Sequence, residues 1–176
     1  DMKKSENTFV VGVVERADNV SDEEKAKGFV EKFTELADSD PQIKDKYKIE
    51  TESESDFKDS FDDLIRENAK AVFITDSGIA DKISDIVSAD SEKYSEIIFC
   101  GFDSGAKQLK WLTVENGPQF IGGVARDSYN IGYNAAEQCI FSIQGKEIKE
   151  KIEIEGKWYD KENVDKMKQD SMVFDK

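Results

Sequence analysis

The sequence predicts an α/β fold, a doubly wound and mostly parallel sheet in a flavodoxin-like three-layer sandwich. Three observations carry this. Short apolar runs of strand length alternate with stretches whose apolar residues recur at helical spacing. The order strand, helix, strand, helix, strand, helix, strand is that of a parallel sheet, and right-handed crossovers leave little choice of architecture. The apolar runs also stop abruptly. In IIFCGFD, ending at Asp103, a buried strand delivers a carboxylate to an edge where the chain must turn.

Residues 8–15, TFVVGVVE, form a β-branched apolar run and the first strand. Ser21 opens the first helix, with Glu24 three residues on completing a capping box. Ala26, Phe29, Val30, Phe33 and Leu36 follow at helical spacing, and Pro41 punctuates the polar stretch beyond. Residues 47–51 make a more polar second strand. A second helix, from about Asp56, carries Phe57, Phe61, Leu64 and Ile65 on one stripe. Residues 71–75, AVFIT, are a brief third strand, turned at Asp76, Ser77 and Gly78 into a helix bearing Ile79, Ile83, Ile86 and Val87. A fourth strand covers residues 97–102, a short fifth 112–114 and a sixth 121–124. A fourth helix over residues 128–144 aligns Tyr129, Gly132, Tyr133, Ala136, Ile140 and Ile143. The tail adds a strand near residues 151–155 and a short helix over 161–168, behind Asp160. Residues 1–7 read as a polar linker. Residues 8–176 read as one lobe, with a closing segment from roughly residue 127.

With 176 residues, 38% hydrophobic and 36% charged, the chain suits one sizeable core under a heavily charged surface. No apolar run approaches a membrane span, and no secretory leader is visible. The net charge of −14 argues against nucleic acid, because phosphate binding needs clustered Lys and Arg. Spread through helices and loops, the acidity serves solubility. There is no histidine, which excludes imidazole acid–base catalysis, Ser-His triads and His metal sites. Without a P-loop, a Gly-x-Gly-x-x-Gly or a nucleophile elbow, neither an enzyme nor a cofactor is expected. Asp38 and Asp40 hint at a calcium loop, but Pro41 follows and no Gly supplies the sharp turn. Cys100, within a strand, and Cys139, on the inner face of the fourth helix, are expected to be buried, with no disulfide framework.

In an open parallel sheet, ligands bind beyond the carboxyl ends of the strands. Glu15, Asp76, Asp103 and Arg126 close four strands there, placing three carboxylates and a guanidinium on one rim. Such a rim suits a polyhydroxylated ligand, since each hydroxyl both donates and accepts. Charged partners strengthen those bonds. Sugar recognition follows without a cofactor.

Gly-Phe-Asp at residues 101–103 and GGVARDSYNIGYNAAE from Gly122 resemble the second lobe of the type I periplasmic binding-protein family. That family includes sugar receptors of ABC transporters and effector domains of lac-repressor-type regulators. The resemblance spans about residues 9–164. It includes the tail EIEGKWYDKENVDK, which is similar to the closing segment of the sugar receptors. It implies that Asp103 holds ligand hydroxyls and that Phe102 packs against the sugar. Asp76 stands where the family often has Asn, losing an amide donor. Arg126 stands where Gln or Asn is common, adding a planar fork. Lys25, ahead of Gly28-Phe29, replaces the family's Arg. Phe57 falls where some receptors stack a ring on the ligand, and it also begins a stripe of core character.

The resemblance implies a carbohydrate-binding lobe of an extracytoplasmic solute receptor, working with an ABC permease. Its ligand is clamped, by domain closure, against a first lobe of the same protein. In the alternative, the rim senses an effector for a cytoplasmic regulator of the lac-repressor type; the tail favours the receptor. Helix 128–144 packs on the first lobe in the family. Here its apolar face is expected to fold back onto this lobe or to pair in a homodimer. A third reading, a phosphoacceptor receiver domain, uses Asp76 as the phosphorylated residue and Lys110 as its partner. It lacks the acidic pair that Mg²⁺ needs beside Glu15 and Arg16.

Overall fold

Val10, Val11, Val13 and Val14 are all buried, so the strand they build, β1 (Phe9–Glu15), has neighbours on both edges and cover on both faces. The computed structural model describes residues 8–53, 57–115 and 118–169. In chain order, α1 (Val20–Ser39), β2 (Tyr47–Ser53), α2 (Phe57–Arg66), β3 (Ala69–Ile74) and α3 (Ser77–Ala89) follow β1. Then come β4 (Ile98–Phe102), α4 (Ala106–Trp111), β5 (Gln119–Ala125), α5 (Ser128–Ile143), β6 (Lys157–Tyr159) and α6 (Val164–Gln169).

The six strands lie in the order β2-β1-β3-β4-β5-β6. The first five are parallel, and β6 runs antiparallel to β5. The chain steps from β1 to β2 on one side, then returns to β3 on the other, so the order reverses between β1 and β3. Strands on either side of such a reversal open a crevice at their carboxyl ends. Helix α1 covers one face of β1–β3, with Phe29 stacked on Phe73 at 4.7 Å and Phe33 against Tyr47 at 5.3 Å. The main core lies on the opposite face, where Phe61, Leu64, Ile79, Ile83, Phe99, Trp111 and Phe120 pack together.

Several elements differ from expectation. Helix α1 is capped by Asn19, whose side-chain oxygen accepts from the Ser21 and Asp22 amides; the Ser21–Glu24 capping box is not its start. No strand forms at residues 112–114. The chain turns there instead, just past helix α4, and Leu109 and Leu112, three residues apart, are buried together with Trp111. The tail strand lies at β6, not near residues 151–155, because only there does the chain meet the free edge of β5. Helix α6 begins at Val164, after turns at residues 161–163. Helix α5 does not fold back: none of its residues is buried, and Cys139 is exposed. Cys100 is partly buried and unpaired with Cys139, and loss of solvent pushes its thiol pKa up to about 12. No described helix is long and apolar enough to cross a membrane.

Candidate functional site

Four strands end at one lip, and ion pairs stitch their ends together. Beyond β1, the Arg16 guanidinium donates to Asp76 Oδ1 at 2.6 Å. The same Oδ1 accepts the Gly78 and Ile79 amides, at 2.8 and 3.2 Å, so Asp76 also caps α3. Beyond β4, Asp103 takes both arms of the Arg126 fork: Nε lies 3.0 Å from Oδ1, and Nη2 bonds Oδ2. Arg126 is the residue after β5. Its pKa is raised by the bond to Asp103 and by the charges of Asp103 and Asp76, so the guanidinium stays charged. Asp76, Asp103 and Arg126 therefore lie within one electrostatic neighbourhood.

Asp103 is held in the left-handed region, φ 60°. Its amide donates to the Val124 carbonyl at 2.8 Å, and its own carbonyl accepts the Tyr159 hydroxyl at 2.7 Å. Burial pushes the Tyr159 phenol well above its ordinary pKa, so this hydroxyl remains a donor. The turn after β4 is further held by buried Gln108, whose Oε1 accepts the Gly105 amide at 2.8 Å. The carboxylate is thus fixed by the tail strand and α4 together.

Lys25 comes to the same lip from α1. Its Nζ donates to Asp22 Oδ1 at 2.6 Å and to the Thr75 carbonyl at 2.9 Å. It also stands over the Phe102 ring, 4.2 Å from the centroid. Arg126 lies 5.5 Å from the same centroid. The Phe102 ring is therefore a platform for cations, and a sugar packed against it would have to share it with them. Lys25 is only 20% exposed, far from a freely solvated lysine.

Glu15 closes β1 as expected, and its carboxyl pKa is raised, first by burial and then by the charges of Glu23 and Asp22. The side chain of Phe57, which opens α2, lies outside the described residues. Lys110 sits in α4, not at a strand end where a receiver domain would need it. No cluster of metal-ligating residues occurs among the described residues.

Three lip residues escape the sequence reading: Arg16, Asp22 and Gln108. Asp22 looks like any acidic residue in a helix's first turn, yet it is buried, holding Lys25 and accepting the Arg16 amide at 3.3 Å. A groove of about 600 Å³, lined by Trp111, Phe120, Ile121 and Asp160, lies at the opposite end of β5 from this lip.

No family model matches the sequence, and no curated protein matches it either. Solved structures do match its shape. A Brachyspira murdochii protein described as an ABC transporter, LacI family transcriptional regulator superposes with a TM-score of 0.79 at 22% identity. The match covers 95% of this chain and 56% of that one. An Agrobacterium radiobacter carbohydrate transporter solute binding protein, in complex with D-arabinose, gives 0.75 at 17% identity, over 95% and 56%. An Agrobacterium vitis ABC transporter solute binding protein bound with α-D-tagatopyranose gives 0.72 at 16%, over 96% and 55%. This chain spans little more than half the length of these neighbours. With its strand order, its lip and these matches together, the chain has the fold of one lobe of a type I periplasmic binding protein, as found in ABC sugar receptors and LacI-type regulators.

Proposed function

We propose that this chain is the second lobe of a sugar receptor and that the ligand rests on the lip made by Lys25, Asp76, Phe102, Asp103 and Arg126. The observation that supports this most is the pairing of each accepting carboxylate with a donor. Arg16 holds Asp76, Arg126 holds Asp103, and Lys25 holds Asp22. Three cations stand among four carboxylates, Glu15 included, so the lip presents bonding groups of both senses. A neutral polyol, whose hydroxyls donate and accept in turn, fits that pattern. Two of the shape neighbours were solved with sugars bound.

One lip is half of a clamp. The facing jaw is a first lobe of the same protein, and closure of the two would exclude water from the sugar and strengthen each bond. As a receptor, the protein would act outside the cytoplasm and hand its ligand to an ABC permease. The tail that resembles receptor closing segments supports that role. The neighbours that carry LacI descriptions support the second reading, an effector-sensing domain of a cytoplasmic regulator. Both readings use the same lip.

A thermal-shift screen with pentoses, hexoses and furanoses, D-arabinose and D-tagatose included, tests the ligand class. Once sugar exceeds its Kd, each further tenfold adds about 1.4 kcal/mol of stability. A shift that Asp103→Ala abolishes supports the assignment. A shift that survives Asp103→Ala, Arg126→Ala and Lys25→Met places the ligand elsewhere.

A further inference from the structure

Asp81, in the second turn of α3, buries one carboxylate oxygen, Oδ1, that has no hydrogen-bond partner. Left ionised, such an oxygen bears the full loss of its water, and a proton relieves it. Helix α4 packs against α3 here and brings Lys107. That ammonium favours the ionised form, but it is bonded to Asp85 Oδ2 at 2.6 Å. Asp85, one turn along α3, and Asp76, ahead of it, oppose a further negative charge. Burial is the largest influence, and the Asp81 carboxyl is held above the ordinary aspartate pKa.

Across this interface Asp81 meets the turn that presents Asp103. A Cβ on Gly105 would lie 3.3 Å from Gln108 Oε1 and 3.4 Å from Asp81 Oδ1, so the two oxygens border one small space. Gln108 is fully buried. Its Oε1 accepts the Gly105 amide at 2.8 Å, and its Nε2 donates to the Phe102 carbonyl at 3.4 Å, so one side chain ties both flanks of Asp103. These partners fix which way the amide points, since the Gly105 N–H only donates and a carbonyl only accepts. Oε1 keeps a second lone pair and faces another acceptor. A proton on Asp81 supplies the hydrogen that joins them.

We propose that Asp81 is a positioning residue for the lip, donating in its neutral form from Oδ1 to Gln108 Oε1 and so locking the turn that carries Phe102 and Asp103. One proton is taken from solvent, one hydrogen bond forms, and no bond of the lip is broken. When Asp81 ionises, the two oxygens repel and the Gln108 amide gives way. Asp103 holds φ 60°, a conformation that persists only where its surroundings enforce it. A loosened Gln108 therefore blurs the aim of the carboxylate that meets Arg126. Because the Asp81 pKa is raised, the lock is fully present below the ordinary aspartate value and is lost as pH rises through the raised one. Sugar affinity follows the lock, a step that rests on the lip being a sugar site.

A pH titration of the 176-residue chain by NMR tests the lock without any sugar. The Asp81 carboxyl carbon should titrate above the ordinary aspartate value of about 3.9, and the amides of Asp103 and Gly105 should move with the same midpoint. In Asp81→Asn the side-chain amide donates to Oε1 at every pH, so that component of both curves should vanish. Glu15, whose pKa is also raised, is present in both proteins and drops out of the comparison. With D-arabinose added, Asp81→Asn should bind about fivefold tighter than the unaltered chain at neutral pH, and the two should converge as pH falls. Asp81→Ala, with nothing to donate, should gain no affinity on acidification. Reciprocity requires saturating sugar to raise the Asp81 pKa by the same factor. Asp103 and Gly105 amides that ignore the Asp81 titration would overturn the proposal, as would equal pH profiles for Asp81→Asn and the unaltered chain. Linked titrations with no response to D-arabinose or D-tagatose would leave the lock standing and overturn the sugar site instead.

Discussion

Arg126 and Asp103 meet as a two-point pair across the ends of β4 and β5, with Nε 3.0 Å from Oδ1 and the second bond from Nη2 to Oδ2. The Arg126 side chain is 55% exposed, so solvent screens the pair and its net worth is at most about 1 kcal/mol. A weak pair at an open lip is a suitable receptor for hydroxyls. Each carboxylate oxygen keeps a spare lone pair, and a ligand can enter without breaking a costly bond.

Substitutions at Asp103 should separate backbone strain from charge. Asp103→Asn tolerates the left-handed backbone and loses only the fork, at a cost below about 1 kcal/mol. Asp103→Ala adds about 1–2 kcal/mol of left-handed strain, and Asp103→Val costs more. Urea denaturation checks the order Asn, Ala, Val.

Lys25 and Asp22 should behave as a coupled unit. Lys25→Met strips a buried carboxylate of its cation while the Arg16 amide still donates to it. A loss of about 2–3 kcal/mol is expected, below the cost for a fully buried pair because Lys25 keeps some solvent. The double variant Lys25→Met, Asp22→Asn should recover most of that loss. A double-mutant cycle measures the coupling, and strict additivity would refute it.

Gly122→Ala should be among the most damaging single changes. Gly122 has φ 146°, and a Cβ there would overlap the Tyr159 carbonyl and the Trp158 ring. Strand β6 must then part from β5, taking the Tyr159 bond to Asp103 with it. We expect a loss above about 3 kcal/mol. Tyr159→Phe removes that bond alone and should cost about 1 kcal/mol. Equal losses for the two variants would contradict this role for β6.

Glu15 gives a pH dependence of determinate sign. Its folded-state pKa is raised, so the folded chain disfavours the ionised form. Its contribution to stability is fully present below the ordinary glutamate pKa and is lost as pH rises through the raised value. Glu15→Gln should therefore raise the melting temperature at neutral pH. That gain should fade as pH falls through the ordinary glutamate range, near about 4.3. Melting curves across pH check the direction.

The strand ends were the legible part of the sequence, because a charged residue after a short apolar run can lie only at an edge. Asp76, Asp103 and Arg126 follow from that alone. Arg16 did not, since the first run already ends at Glu15 and the next residue looks like loop. Asp22 was hidden because burial of a helix's first-turn carboxylate depends on Lys25, which only folding brings beside Thr75 and Phe102. Helix α4 follows Gly105, which has no side chain to announce a cap, so the helix went unread and a strand was expected just beyond it, at residues 112–114. The alternation of IEIE near residue 152 has the period of a strand but finds no sheet edge. The stripe of α5 reads as buried in any helix, and no local signal tells whether its cover lies in the same chain.

The most direct test of the lip as a sugar site is a ¹H–¹⁵N NMR titration of the chain with D-arabinose and with D-tagatose, which detects even weak binding. The amides of Arg16, Asp76, Asp103 and Arg126 should shift together along one saturating curve, and Arg126→Ala should abolish the response. Saturating shifts confined to residues away from these strand ends, or no shifts with either sugar, would contradict the account.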